Sequence, residues 1–324
     1  MVFKGISVYS YLRALAQLVR LPNVLIIVFT QILLRYCIIE PFIYAKAPSS
    51  VSSLPDFAML VLATMLLAVG GYVINDYFDV MTDRINRPDK LVVNKLISSR
   101  AAIKLHILLN GVAILLGFYL AYRIKALSFG FLFPFLSGLL WIYSAKYKRK
   151  VFWGNFIIAG MTACVILIIW LYEFFWLRLN AGLFVTVIPD IRWVNHVFFG
   201  YAMFAFLLSM VREIVKDMED VEGDESIGCK TIPLVAGIRK TRYLVTTIVV
   251  ITIALLAYAQ LVLFRLNLLM VFWYFFIAVQ FPLIYLLTKI PGAREKQDFH
   301  YISSLIKLIM VAGILSMEVL FISN

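Results

Sequence analysis

Nine apolar runs divide this chain, and each is close to the roughly 20 residues a helix needs to cross the hydrocarbon core of a bilayer. They fall at roughly 21–44, 55–79, 101–122, 126–144, 154–176, 195–217, 241–263, 268–288 and 302–322. In lipid a backbone must satisfy its own hydrogen bonds, so runs of this length become helices. The sequence predicts an all-α polytopic membrane protein with nine transmembrane helices, a single domain over 1–324. Its 63% hydrophobic content and mean hydropathy of +0.94 exceed those of soluble domains, which stay near half apolar. Gly130, Pro134 and Gly138 interrupt the fourth run, a break that neighbouring helices can accommodate.

A net charge of +12 would suit a nucleic-acid partner, but the basic residues sit in short loops between apolar runs. No nucleic acid is expected. The loops test the topology instead. The N-terminus and the loops after helices 2, 4, 6 and 8 hold 22 of the 30 Lys and Arg, against six on the other side. The positive-inside rule then puts the N-terminus in the cytoplasm and the C-terminus outside, and an even helix count would spoil the alternation. Lys4, Arg13 and Arg20 precede the first run, which is too long for a secretory h-region and lacks a small-residue cleavage site. It reads as a retained helix. Cys37, Cys164 and Cys229 are scattered and imply neither a disulfide framework nor a metal motif.

Two acidic stretches stand out, Asn75-Asp76-Tyr77-Phe78-Asp79-Val80-Met81-Thr82-Asp83 and Asp217-Met218-Glu219-Asp220-Val221-Glu222-Gly223-Asp224. They close helices 2 and 6, so the alternation brings both to the cytoplasmic face. On a helix Asn75, Asp79 and Asp83 share one face with Asp76 beside it, and Asp217, Asp220 and Asp224 share another. Eleven of the 18 Asp and Glu fall within 76–89 and 213–225. Solvated helix ends would explain scattered charges better than two matched clusters. Bringing two carboxylate faces together without a cation costs several kcal/mol. A hard divalent ion with oxygen ligands resolves that cost, and Mg²⁺ uses carboxylates, waters and phosphate oxygens in this way. The inference is a metal–diphosphate site built from two half-sites. Lys216 beside Asp217, Arg87 and Lys90 after the first stretch, and Lys148 and Arg149 after helix 4 could neutralise phosphate oxygens. Lys90, Lys95, Lys146 and Lys150 also fit ordinary positive-inside charges.

A water-soluble diphosphate needs no nine-helix bundle, whereas a diphosphate on a hydrocarbon tail does. Ionising its carbon–oxygen bond gives an allylic cation, which aromatic faces stabilise. Tyr72, Tyr77, Phe78, Tyr143 and Phe204 are candidates, although most such aromatics pack or face lipid. Helices 2–5 and 6–9 each open with an acidic-ended helix and a long polar loop. That weak repeat suggests two four-helix halves around a central cavity, plus helix 1.

The paired motifs resemble the UbiA superfamily of intramembrane prenyltransferases. So do Arg20-Leu-Pro-Asn23, Ile85-Asn86-Arg87-Pro88, Tyr143-Ser144, Lys148-Arg149 with Asn155, and Lys216 before the second motif. The resemblance covers nearly the whole chain. It implies a cavity open sideways to lipid, Mg²⁺ as cofactor, an isoprenyl diphosphate as donor and a lipophilic acceptor. It further implies Asn75, Asp76, Asp79, Asp83, Asp217, Asp220 and Asp224 as metal ligands, directly or through water. Lys216, Lys148 and Arg87 would hold diphosphate, and Asn23 and Tyr143 would line the substrate site. The run Arg212 to Asp224, followed by Gly228-Cys-Lys-Thr-Ile-Pro233, is similar to the branch that attaches a geranylgeranyl chain to geranylgeranylglycerol phosphate. After Pro88 that branch has Arg-Pro and then Gly-Arg; here Lys90-Leu91 and Asn94-Lys95 keep the charge but not the turn chemistry. Quinone, aromatic-acid or haem prenyl transfer is the close alternative. A cation-coupled transporter is the distant one, because transport sites favour broken helices at the midplane.

Overall fold

The computed structural model describes residues 14–45, 51–86 and 88–323. Arg87, assigned above to diphosphate, lies outside the described residues, as do Lys4 and Arg13. Among the described residues nine helices are long and apolar enough to cross a membrane. They are α1 (Leu21–Tyr44), α2 (Leu54–Phe78), α3 (Ser99–Arg123), α4 (Leu127–Ala145), α5 (Trp153–Leu177), α6 (Ala181–Glu219), α7 (Ile238–Arg265), α8 (Leu269–Gly292) and α9 (Lys296–Ile322). The remaining pairing among these residues is a bridge between Val93 and Ile97.

Local chemistry sets the ends. Ser53 caps α2 through Asp56 N, with proline in the first turn; Ser98 caps α3 and Asn180 caps α6. Glu295 and Asp298 form a reciprocal capping box at α9, satisfying amide donors that a helix start leaves open. Two helices depart from expectation. In α4 a short turn, Leu127–Gly130, precedes the main segment Leu132–Ala145, so the expected interruption falls at Phe131. Helix α6 runs for 39 residues and starts well before 195, with Pro189 inside it. Asp190 and Arg192 end the apolar run there, but they do not end the helix.

The described residues form two compact units. The first holds the chain to Phe29, residues Ser53–Lys148 and Ser226–Gly228, and therefore α2, α3 and α4. Its core includes Val24, Val69, Val73 and Ala102. Arg123 in the last turn of α3 pairs with Asp56 in the first turn of α2 at 2.9 Å, so these helices run antiparallel. Gly117 on α3 faces Phe133 on α4 so closely that an added Cβ would meet the ring. Phe133 is fully buried and has little room to yield. Gly117→Ala should therefore overpack this contact and cost about 1–3 kcal/mol, read as a lower Tm of the purified protein in detergent.

The second unit holds Thr30–Ser52, Arg149–Glu225 and Cys229–Asn324. Its core joins Val211, Ile214 and Val215 of α6 to Val245 and Val249 of α7, Leu283 of α8 and Ile302 and Ile306 of α9. Helix α5 belongs to this unit and packs on α6. The expected division into helices 2–5 and 6–9 is thus corrected: contacts group α5 with α6 to α9, because α5 buries its face against its chain neighbour. The later part of α1, Leu34–Tyr44, is a π-helix containing Pro41, a residue that lacks the N–H for regular α bonding. Here Arg35, only 3% exposed, donates to Glu40 at 2.9 Å and to the Ser52 carbonyl at 2.7 Å. Glu173 of α5 accepts from Tyr44 at 2.8 Å and from the Ser52 hydroxyl. Buried charges persist only when paired and hydrogen-bonded, and this cluster meets that condition.

Candidate active site

The first acidic stretch is the end of α2 and the short helix Val80–Asn86 after it. Backbone bonds from Asp79 N to Asn75 O and from Asp83 N to Asp79 O, at 2.9 and 2.8 Å, carry the helical spacing across the junction. Asn75, Asp79 and Asp83 keep the shared face that the sequence indicated. Asn75 Nδ2 donates to Asp79 Oδ2 at 2.6 Å. The Lys148 ammonium bonds the same carboxylate and reaches Asn75 Oδ1 at 3.3 Å. Asp76 turns to Arg20, whose Nη2 lies 3.0 Å from Oδ1. The Arg20 guanidinium also sits over the Tyr72 ring, 4.9 Å from its centroid. Arg20 adopts a left-handed backbone with φ of 51°, a conformation that costs a non-glycine residue on the order of 1–2 kcal/mol. The pairing with Asp76 and the turn into α1 hold it there.

Both cations stay charged. Burial works against the Lys148 charge, but Asp79 and then Tyr143 outweigh it and raise the ammonium above its ordinary range. Burial likewise opposes Arg20, and Asp76 outweighs it. For Lys148 a raised folded pKa means its stabilising contribution is complete below the ordinary lysine range. It fades only as pH climbs through the folded value, so neutral and mildly alkaline pH leave the pair intact.

The second acidic stretch ends α6 and continues into the short helix Val221–Ser226. Asp220 N bonds Lys216 O at 2.9 Å and Asp224 N bonds Asp220 O at 3.1 Å, which again preserves the spacing. Asn155, in the first turn of α5, donates Nδ2 to Asp217 Oδ2 at 2.7 Å. Lys216 lies 3.6 Å from Glu213, which also accepts from Arg212 at 2.9 Å. The loop beyond is pinned by Cys229 N to Asp224 O and by Lys230 N to Arg149 O, at 2.9 and 3.0 Å.

The other candidates separate. Tyr143 is buried near the end of α4, and Asn23 is half-buried in the first turn of α1. Tyr77 and Phe78 meet edge to face, and Phe78 packs on Trp141. Phe204 packs against the core of the second unit. The roles of Arg20 and Asn155 were not assigned from sequence. Both stand among the residues that carry the family resemblance, Arg20 in Arg20-Leu-Pro-Asn23 and Asn155 beside Lys148-Arg149, but nothing in the sequence ties either to a particular carboxylate.

The donors at each half-site are carboxylate and amide oxygens, the chemistry Mg²⁺ takes. Among the described residues no three Asp, Glu, His or Cys side chains gather closely enough to hold an ion by themselves. In the first half-site Arg20 and Lys148 balance the carboxylates instead.

A model of the UbiA prenyltransferase family matches residues 41–305. Among curated proteins, the digeranylgeranylglyceryl phosphate synthase of Methanothermobacter thermautotrophicus is 35% identical over 191 residues, covering 57% of this chain and 58% of that protein. The synthase of the same name from Thermococcus sibiricus is 32% identical over 185 residues, 56% of this chain and 57% of its own. The chain thus spans less than two thirds of the length of these relatives. A solved structure of digeranylgeranylglyceryl phosphate synthase superposes with a TM-score of 0.63 at 23% identity, over 97% of this chain and 99% of that one. A UbiA homolog from Archaeoglobus fulgidus, bound to DMAPP and Mg²⁺, superposes with a TM-score of 0.52 at 15% identity, over 94% of this chain and 99% of that one. These structural likenesses concern the fold. With the family model spanning most of the sequence, the chain belongs to the UbiA prenyltransferase family.

Proposed function

We propose that this protein transfers a prenyl group from an isoprenyl diphosphate, geranylgeranyl by the motif after α6, to the glycerol hydroxyl of geranylgeranylglycerol phosphate at the cytoplasmic face. The observation that carries the reading is the first half-site, where Lys148 and Arg20 already sit on the carboxylates of Asp79 and Asp76. A polar cluster of this kind at the end of a lipid-length helix suits a substrate with a charged head and an apolar tail. The digeranylgeranylglyceryl phosphate synthase relatives support the choice of acceptor, and the ligands of the Archaeoglobus homolog support donor and metal.

Mg²⁺ held by Asn75, Asp76, Asp79, Asp83, Asp217, Asp220 and Asp224 would neutralise charge on the departing diphosphate. The protein's own groups do the rest. Lys148 and Arg20 exchange their carboxylates for phosphate oxygens as the head arrives, and Lys216 contributes from the second motif. Asn155 fixes the orientation of Asp217. The apolar helices take the prenyl tail and exclude water, so the activated carbon meets the acceptor hydroxyl.

The test is purified protein with labelled geranylgeranyl diphosphate and a panel of acceptors: geranylgeranylglycerol phosphate, 4-hydroxybenzoate, dihydroxynaphthoate and haem. Transfer to the glycerol phosphate alone is expected, and transfer only to an aromatic or porphyrin acceptor would overturn the choice. Chelation with EDTA should bring turnover to background, with recovery on adding Mg²⁺; full activity in the chelator would sink the metal assignment.

A further inference from the structure

Within the second unit, cations gather where α7 begins and α8 turns into α9. Arg239, Lys240 and Arg242 lie in the first turns of α7, Lys289 lies in the last turn of α8, and Arg294 follows it. Arg242 is half-buried and the others are exposed. The Arg242 guanidinium fastens the two segments together, because its Nη1 donates to the Pro291 carbonyl and, at 3.0 Å, to the Ala293 carbonyl. Arg239, three residues earlier, shares the Arg242 face of α7. This turn stands at the membrane end that carries the second acidic stretch: His300 at the start of α9 lies 3.0 Å from Glu219 at the end of α6.

The charge gathered here is not cancelled locally. Carbonyl oxygens hold a guanidinium in place without neutralising it. Among the described residues, Arg239, Lys240, Arg242, Lys289 and Arg294 pair with no carboxylate. The neighbouring acids are Glu295 and Asp298, and both are committed to the capping box of α9, where Asp298 also accepts from Arg294 N at 2.8 Å. The Nε and Nη2 of Arg242 have no partner in the protein. That edge of the guanidinium is the fork that binds a phosphate through two parallel bonds, and the carbonyls behind it set its orientation in advance.

The surroundings are those of a lipid rather than of a soluble ion. Tyr243, Tyr285 and Tyr301 are exposed. Arg239 lies over the Tyr243 ring, 6.0 Å from its centroid, and Lys289 over the Tyr285 ring at 5.1 Å. The Tyr285 and Tyr301 hydroxyls are 3.5 Å apart. Tyrosines placed this way seat at the headgroup level of a bilayer. Toward the membrane interior the exposed surface of α7 and α8 is apolar, with Val250, Ile251, Phe281 and Ile284.

We propose that Arg242, flanked by Arg239 and Lys289, holds the phosphate of an anionic phospholipid, whose chains lie on the apolar surface of α7 and α8. The site is independent of the aspartate motifs and of the prenyl-transfer reading.

The test uses the full chain purified in a neutral detergent. Three probes are titrated at low salt: a phosphatidylglycerol, a phosphatidylcholine with the same chains, and inorganic phosphate. The wild-type chain should prefer the anionic lipid, and the preference should shrink in 1 M salt. A basic residue near an anionic headgroup contributes roughly fivefold. R239Q/K289Q should therefore weaken phosphatidylglycerol about twentyfold, and R239Q/R242Q/K289Q about a hundredfold. The double variant leaves the Arg242 carbonyl bonds intact, so its loss of binding does not depend on the turn staying folded. K95Q/R100Q/K104Q removes as many cations from the first unit and should bind like the parent. Equal wild-type binding of the two lipids would overturn the proposal. An equal loss in K95Q/R100Q/K104Q would reduce it to general charge attraction and overturn it as well. Inorganic phosphate competing at the same concentration as the lipid would make this a free-phosphate site and overturn the lipid assignment.

Discussion

Asp76→Ala and Asp220→Ala should each lower Mg²⁺-dependent prenyl transfer by on the order of a hundredfold or more, the scale on which one preorganised electrostatic group at a reacting centre acts. The two substitutions probe different half-sites, so the equality of their effects is informative. Asp76 now pairs with Arg20, and on the proposed function its loss removes both a metal ligand and the partner that fixes a phosphate-binding cation. Asp220 caps α6, with its amide bonded to Lys216 O; alanine keeps that backbone bond while deleting the carboxylate. Both proteins should insert and purify like the parent. The measurement is single-turnover transfer at saturating Mg²⁺, with a Mg²⁺ titration beside it. Full activity in either variant would remove that half-site from the reaction. A deficit rescued by high Mg²⁺ would identify the residue as a ligand rather than a support of the fold.

Glu173→Ala should be the most damaging change away from the motifs, at about 3–5 kcal/mol, the usual cost of removing one partner from a buried ion pair. Glu173 is 1% exposed and ties α5 to the π-helical end of α1 through Tyr44 and Ser52. Its Oε1 also lies 3.9 Å from Arg35 Nη1. Alanine takes one carboxylate away from the buried Arg35 guanidinium, which keeps its bonds to Glu40 and Ser52, and leaves the Tyr44 hydroxyl without its Glu173 acceptor. Glu173→Gln keeps an acceptor for one donor and should cost clearly less. Thermal unfolding of both variants in the same detergent orders them. An alanine variant within 1 kcal/mol of the parent would show that the cluster is neutral to stability.

How much of this was legible beforehand follows from which forces act locally. The thickness of the hydrocarbon core fixes run length, so nine helices could be counted from hydropathy, and they are the nine apolar helices found among the described residues. The four-residue spacing of Asn75, Asp79 and Asp83 is also local, set by helix geometry, and it survives the junction after α2. The start of α6 is not legible from hydropathy for a related reason. Pro189, Asp190 and Arg192 break the apolar pattern, but helix formation needs only backbone bonds, and those continue through them.

Partnerships between helices were not legible. Arg20 meets Asp76 across 56 positions and Asn155 meets Asp217 across 62, and α5 groups with α6 rather than with α2 to α4. Periodicity says which residues share a face; it carries no record of which face docks on which. That choice belongs to side-chain packing, where small residues such as Gly117 permit close approach and buried charges such as Arg35 and Glu173 demand one another. The sequence by itself determined the helices and the two acidic motifs, because both depend on spacing along one chain. Tertiary packing decided which cation or amide holds each carboxylate, because that depends on distances between segments far apart in sequence.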